Sequence, residues 1–344
     1  MKTRFIFLVL LAGMASLAQA YDYEGHHLIN QLAMGALPAD FPQFVRAPRA
    51  RTRIAFLGGE ADRWRNTRRL PLRHANNPDH YLDVEDLALY GMEPSALTPF
   101  RYEFVAQMAR TRAAFPERFP PIDQQHDLEH VRSLPGFLPW TMAEYYGKLE
   151  SAFSCLKAFR ENGTADEIAN AEENVIYIMG VMGHFVGDAT QPLHTTSSYN
   201  GWLGDNPKGY TTNHTFHAWI DGGFLAKAGF PTVAELQPQL RPARELPVSS
   251  SATNSPVFHS MVQFVLDQHA LVEPLYQLEK DGKFSASSSQ REEGTNFLCH
   301  QFVVAAQMLS DLWETAWKQA PTDTFLKSHL AARARTSSPA LGPK

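Results

Sequence analysis

The chain has 344 residues, of which 44% are hydrophobic and 19% charged, and its formal net charge is −5. That balance excludes a protein that coats nucleic acid through bulk positive charge, while supplying ample apolar content for one large domain or two small ones. Only Cys155 and Cys299 are present; without metal-type spacing, they pair only if the fold brings them together in an oxidising compartment.

Residues 1–20 read as a secretory signal peptide: Lys2 and Arg4 precede a largely apolar run over 5–17, and Ala18-Gln19-Ala20 is a small-residue cleavage site. The run is too short for a membrane span. Cleavage would leave Tyr21 as the mature N-terminus and a secreted or periplasmic protein. Helical spacing of apolar residues follows over 24–36 and 96–115. Thr164 with Glu167 predicts a capping box ahead of a helix running to about Ala189. Ser255 and Pro256 open another, with Val257, Met261, Phe264 and Val265 on one face. Leu298, Phe302, Ala305, Leu309, Leu312 and Ala316 trace a buried stripe near the end. Loops are expected around 70–80, 116–137 and 195–212, and a disordered tail over 329–344. Strand patterns and internal repeats are scarce. The expected fold is therefore an all-α single-domain helical bundle with long loops, spanning 21–328.

The chemistry sits in the histidines. His184 and Asp188 lie four apart on the predicted helix and share a face. Pro192 ends that helix, and His194 follows just beyond the turn. His217 and Asp221 repeat the four-residue spacing. One such pair is more often a surface ion pair than a metal site. Two pairs with an intervening histidine, flanked by glycines that permit close helix approach, favour zinc chelation and more than one ion.

The run His184-Phe185-Val186-Gly187-Asp188 with Gln191-Pro192-Leu193-His194 resembles the signature of the single-strand-specific zinc nucleases of fungi and plants, the family of mung bean nuclease. That family is related to the bacterial zinc-dependent phospholipases C. Gly25-His26, Ala61-Asp62 with Arg65, His80-Tyr81-Leu82-Asp83, and His217 with Trp219 and Asp221 match further family elements, up to about residue 225. The interval from His194 to His217 is the longer one of the nucleases. With Tyr21 as the terminal residue, all nine expected ligand positions are filled in order.

The resemblance implies three zinc ions. Asp62, His80, His184 and Asp188 hold the first; His194, His217 and Asp221 hold the second. Tyr21, through its terminal amine and carbonyl, holds the third with His26 and Asp188, so that Asp188 bridges. Asp62 and Arg65 become catalytic, Asp62 orienting water and Arg65 binding phosphoryl oxygens. Tyr81 and Asp83 correspond to positions that stack on and hydrogen-bond a nucleobase.

Each accessory residue has a plainer reading as well. Arg65 belongs to a basic run over 63–69 and fits a solvated helix face, Tyr81 fits the core, and Asp83 fits a local cap. His27 points about 100° from His26, whereas His214, one turn before His217, is a rival ligand. His74, His126, His130, His259, His269, His300 and His329 lack chelating company. The chain departs from the family pattern at Tyr21 in place of Trp, at Ala189-Thr190 in place of Ile-His, and in lacking both a recognisable Gly-Gly-Asn loop in Ser197–Thr212 and the family's several disulfides.

The expected activity is a zinc-dependent phosphodiesterase on single-stranded DNA or RNA, an endonuclease with 3′-nucleotidase activity and no obligate protein partner. The alternatives are a phospholipase C acting on phospholipid head groups and a non-catalytic periplasmic metal binder.

Overall fold

The computed structural model describes residues 23–247 and 255–337; the expected signal peptide and Tyr21 lie outside them. No sheet forms among the described residues, where extended segments meet only at the isolated bridges Leu82–Gly136 and Tyr199–Gly201. The architecture is all-α, as the periodicity predicts. In chain order it runs α1 (Tyr23–Ala36), α2 (Pro48–Leu57), α3 (Glu60–Arg65), α4 (Leu70–Asn76), α5 (Arg101–Ala114), α6 (Leu138–Asn162) and α7 (Ala165–Thr190). The short α8 (Phe216–Ala218), a π-turn (Trp219–Gly223) and α9 (Phe224–Ala228) follow. The chain then adds α10 (Val233–Leu236), α11 (Pro256–His269), α12 (Val272–Lys280), α13 (Arg291–Gln319) and α14 (Thr324–Ser337). No described helix is long and apolar enough to cross a membrane.

α7 is the axis of the bundle. Its start is fixed by the capping box: Glu167 N donates to Thr164 Oγ1 (3.3 Å) and Thr164 N donates to Glu167 Oε2 (2.9 Å). From Met179 to Thr190 every residue is buried, so this half of the helix is enclosed on all sides. Glycines make that enclosure possible. A Cβ on Gly180 would lie 2.5 Å from Leu57 of α2, and one on Gly183 would lie 1.7 Å from Asn30 of α1. Asn30 uses the space to donate from Nδ2 to Ile54 O (2.8 Å) and Gly180 O (3.0 Å), tying α1, α2 and α7 together. The stripe on α13 packs from the other side, with Leu298, Phe302, Ala305, Leu309, Leu312 and Ala316 all buried. Cys155 on α6 and Cys299 on α13 are free, half-buried thiols.

Three segments differ from expectation. The loop expected over 70–80 holds α4 and a 3-10 turn, Asn77–His80; Pro71 pre-sets the first turn of α4. The tail expected from 329 is instead helical to Ser337. Alanine and arginine are strong helix formers, Leu330 is buried, and Arg333 makes a bidentate bond to Glu167 (2.6 and 2.8 Å). The helix expected over 96–115 begins only at Arg101, because Pro99 precedes it.

Candidate metal centre and adjoining cavity

His184 and Asp188 lie in the enclosed half of α7, both fully buried, with His184 Nε2 3.2 Å from Asp188 Oδ2. α1 delivers His26, whose ring stacks on His184 at 3.9 Å between centroids and whose Nε2 is 3.5 Å from Asp188 Oδ1. Gly187 permits this approach, since a Cβ there would sit 2.7 Å from His26 Nδ1. His80 comes from the end of the 3-10 turn, with Nδ1 2.8 Å from Asp188 Oδ2 and 3.0 Å from His184 Nε2. α3 brings Asp62 to 3.8 Å from His184 Nε2. Asp188 thus touches His26, His80, His184 and, at 3.8 Å, His194.

A second group lies at the far end of α7. After Pro192 the chain turns and pairs with the segment behind His80: Leu82 N donates to His194 O (2.9 Å) and Val84 N to Thr195 O (3.1 Å). This pairing aims His194 Nε2 at His217 Nε2, 3.0 Å away, and His217 Nε2 lies 2.7 Å from Asp221 Oδ2. Asp221 occupies the π-turn, an irregularity common at functional positions. Gln191, from the same motif as His194, donates from Nε2 to Asp221 Oδ1 (2.8 Å) and fixes that carboxylate.

The backbone decides which nitrogens are available. His184 Nδ1 faces Gly58 O (2.7 Å), and His194 Nδ1 faces His80 O (2.7 Å). Carbonyls only accept, so each Nδ1 carries the proton and each Nε2 presents its lone pair inward. This is the arrangement of histidines that ligate metals. Burial holds His26 well below the usual histidine range and, with the Arg65 charge, brings His80 to about 3. Burial likewise lowers His194. Neutral imidazole is the donor form. At His184, burial is outweighed by the Asp188 and Asp62 charges, and its pKa rises. For Asp188, burial is outweighed by His184 and His194, which hold the carboxyl well below its usual range.

Three sets of donor atoms, each within 4.8 Å, result: His26, His184 and Asp188; Asp62, His80 and His184; and His194, His217 and Asp221. Lone pairs and carboxylates brought this close repel unless cations or protons lie among them. The donor set of imidazole and carboxylate suits zinc. Fold and site therefore define an all-helical protein with buried histidine–aspartate clusters able to hold metal ions. Neither protein-family models nor curated proteins give a match to this chain.

A cavity of about 580 Å³ opens beside the clusters, with Arg65, His194 and His217 on one side and Tyr81, Asp83 and Arg132 among the rest of its lining. Arg65 Nε is 3.3 Å from Asp62 Oδ1, so the arginine is tied to the site rather than only to solvent. Tyr81 is half-buried on the wall; burial and the nearby Asp83 push its phenol above the ordinary range. Burial, reinforced by Asp86 and Glu85, raises the Asp83 carboxyl well above its ordinary value. Tyr199 on the expected 195–212 loop joins the lining, its ring 5.6 Å from His217. No spacing rule singles it out.

The remaining histidines separate cleanly. His27 stacks on Tyr23 (5.7 Å), away from the donor sets, and the rival His214 is exposed, with Nδ1 against Asn200 O (3.1 Å). His126 and His259 bond locally to Asp123 and Ser255 O, while His74 and His269 reach the distant Glu129 O and Thr195 O.

Proposed function

We propose that the protein is a three-zinc phosphodiesterase that hydrolyses single-stranded nucleic acid as an endonuclease, with 3′-nucleotidase activity, after export to the periplasm or medium. The observation carrying this reading is the convergence of three buried donor sets beside a cavity that also holds Arg65 and Tyr81. The third ion would take the terminal amine and carbonyl of Tyr21 with His26 and Asp188; the first and second would use the sets around His80 and His217. Zinc held there supplies Lewis-acid chemistry, lowering the pKa of water and neutralising charge on phosphoryl oxygens.

The chain's own residues do the rest. Asp62 orients the attacking water through its carboxylate. Arg65, held at Nε by Asp62, offers its terminal N–H groups to the phosphoryl oxygens as negative charge develops. Tyr81 and Asp83 receive the base, one by stacking and the other by hydrogen bonding. A metal-storage protein has no use for an arginine tied to a ligand at the cavity floor, which weighs against the non-catalytic alternative.

Metal-replete protein is expected to cleave single-stranded DNA and RNA and to leave phosphatidylcholine intact; the reverse preference would assign the phospholipase C reading. Tyr81→Ala should weaken nucleotide substrates by about 1–3 kcal/mol. It should scarcely change hydrolysis of a small activated phosphodiester that lacks a base. Equal losses on both would return Tyr81 to the core.

Gln191 provides a separate check. Gln191→Leu removes the donor that orients Asp221 and should weaken zinc retention at the His194, His217 and Asp221 set about 10–100-fold. Competition against a chromogenic chelator measures this, and unchanged retention would show that Asp221 needs no support.

A further inference from the structure

A second chamber, of about 420 Å³, adjoins the cavity described above. The two share Asp86, His126 and Arg132 in their linings, so they form consecutive compartments with a common wall. The outer chamber differs in character from the metal-facing one. Its lining includes Tyr90 and Phe119, whose rings are tilted 4.8 Å apart, together with Leu89, Ile122 and consecutive prolines. Arg112 closes one side, its guanidinium 4.6 Å from the centre of the Phe119 ring and 3.5 Å from Tyr90 Oη. Arg132 is exposed, and neither arginine has a carboxylate within 4.0 Å among the described residues.

We propose that the outer chamber is a subsite for an additional nucleotide of a single strand, with Arg132 on the shared wall taking the phosphate between two units. The inference rests on the proposed reading of the metal site and deepens it, making the preferred substrate an oligonucleotide rather than a nucleotide. A single strand alternates flat, largely apolar rings with anionic links. The structure alternates in the same way: a cavity with Tyr81, a wall with Arg132, then a chamber of aromatic and proline surface with Arg112. Aromatic and guanidinium faces accept any base. A lipid chain would meet a charged wall midway along its length. Of the outer chamber's acids, Asp123 is paired with His126 (2.6 Å), and burial with the Glu85 charge raises the Asp86 carboxyl above its ordinary value.

The test uses the zinc-loaded protein, with cleavage-resistant phosphorothioate (dT)2 and (dT)4 for calorimetric binding and the ordinary phosphodiesters for turnover. The single phosphate of (dT)2 goes to the metal site and leaves the outer chamber empty, so wild type should bind (dT)4 at least tenfold more tightly and show a matching gain in kcat/KM. Phe119→Ala and Arg112→Gln, both confined to the outer chamber, should erase that gain while (dT)2 binding and turnover stay within about twofold. Arg112→Gln guards against a Phe119→Ala that fails to fold, which a thermal melt reveals. Equal affinity for the two lengths in wild type, or a gain that survives both variants, overturns the subsite. So would loss of phosphatidylcholine turnover in the variants with oligonucleotide binding unchanged, which would assign the chamber to an acyl chain. If wild type hydrolyses no oligonucleotide, the activity reading fails; a tenfold binding gain erased by the variants would still support the chamber, and its absence would overturn it.

Discussion

Asp188→Asn is expected to reduce hydrolysis to background and to strip more zinc than any other single ligand substitution. Among the described residues Asp188 is the one carboxylate within 4 Å of four histidines, His26, His80, His184 and His194, and it is fully buried. Asparagine keeps the shape and removes the charge. The His26, His184 and Asp188 set then loses its anion, and His80 of the neighbouring set loses the carboxylate 2.8 Å from its Nδ1. Asp221→Asn is a milder lesion, since Asp221 lies against His217 (2.7 Å) in a set where His194 and His217 remain. Elemental analysis beside turnover of single-stranded DNA distinguishes the two. Similar small losses from both would mean that Asp188 does not bridge.

Gly183→Val should destabilise the fold by about 3–5 kcal/mol. Even a Cβ at this position would lie 1.7 Å from Asn30 Oδ1, so the Asn30 amide must move. Its two bonds to Ile54 O and Gly180 O are then lost inside the core. A buried amide left without acceptors costs about 1–3 kcal/mol, and forcing extra methyl groups into a close-packed interface adds a comparable amount. The consequence reaches the site, because the contact of α1 with α7 is what stacks His26 on His184. Urea unfolding should show the shift in midpoint, with activity falling in the survivors. A change below about 1 kcal/mol would show that this glycine is not needed for the helix approach.

Residues that act locally were legible in the sequence. Thr164 and Glu167 cap α7 within four residues of each other, and the i,i+4 pairs His184/Asp188 and His217/Asp221 follow from helix geometry alone. The stripe on α13 reads directly from its period. α6 carries no clear periodic signal because polar and apolar residues mix along its 25 residues; it is held by packing on several sides rather than by one clean face. The alanine and arginine composition of α14 also suits a tail, and the burial of Leu330 with the bond of Arg333 to the distant Glu167 decides for helix. The supports of the site were equally hidden. The carbonyls of Gly58 and His80 that set the histidine tautomers, the clamp of Gln191 on Asp221, and the entry of Tyr199 and Arg132 into the cavity all depend on contacts between distant segments. Sequence periodicity carries no record of such contacts.

The proposed function requires these residues to hold three zinc ions in one cluster. Elemental analysis of protein purified without chelators, with its N-terminus sequenced, tests this most directly. Three zinc ions per chain are expected when the mature sequence begins at Tyr21, whose amine and carbonyl would complete the proposed site around His26 and Asp188. One ion or none per chain in correctly processed protein would contradict it.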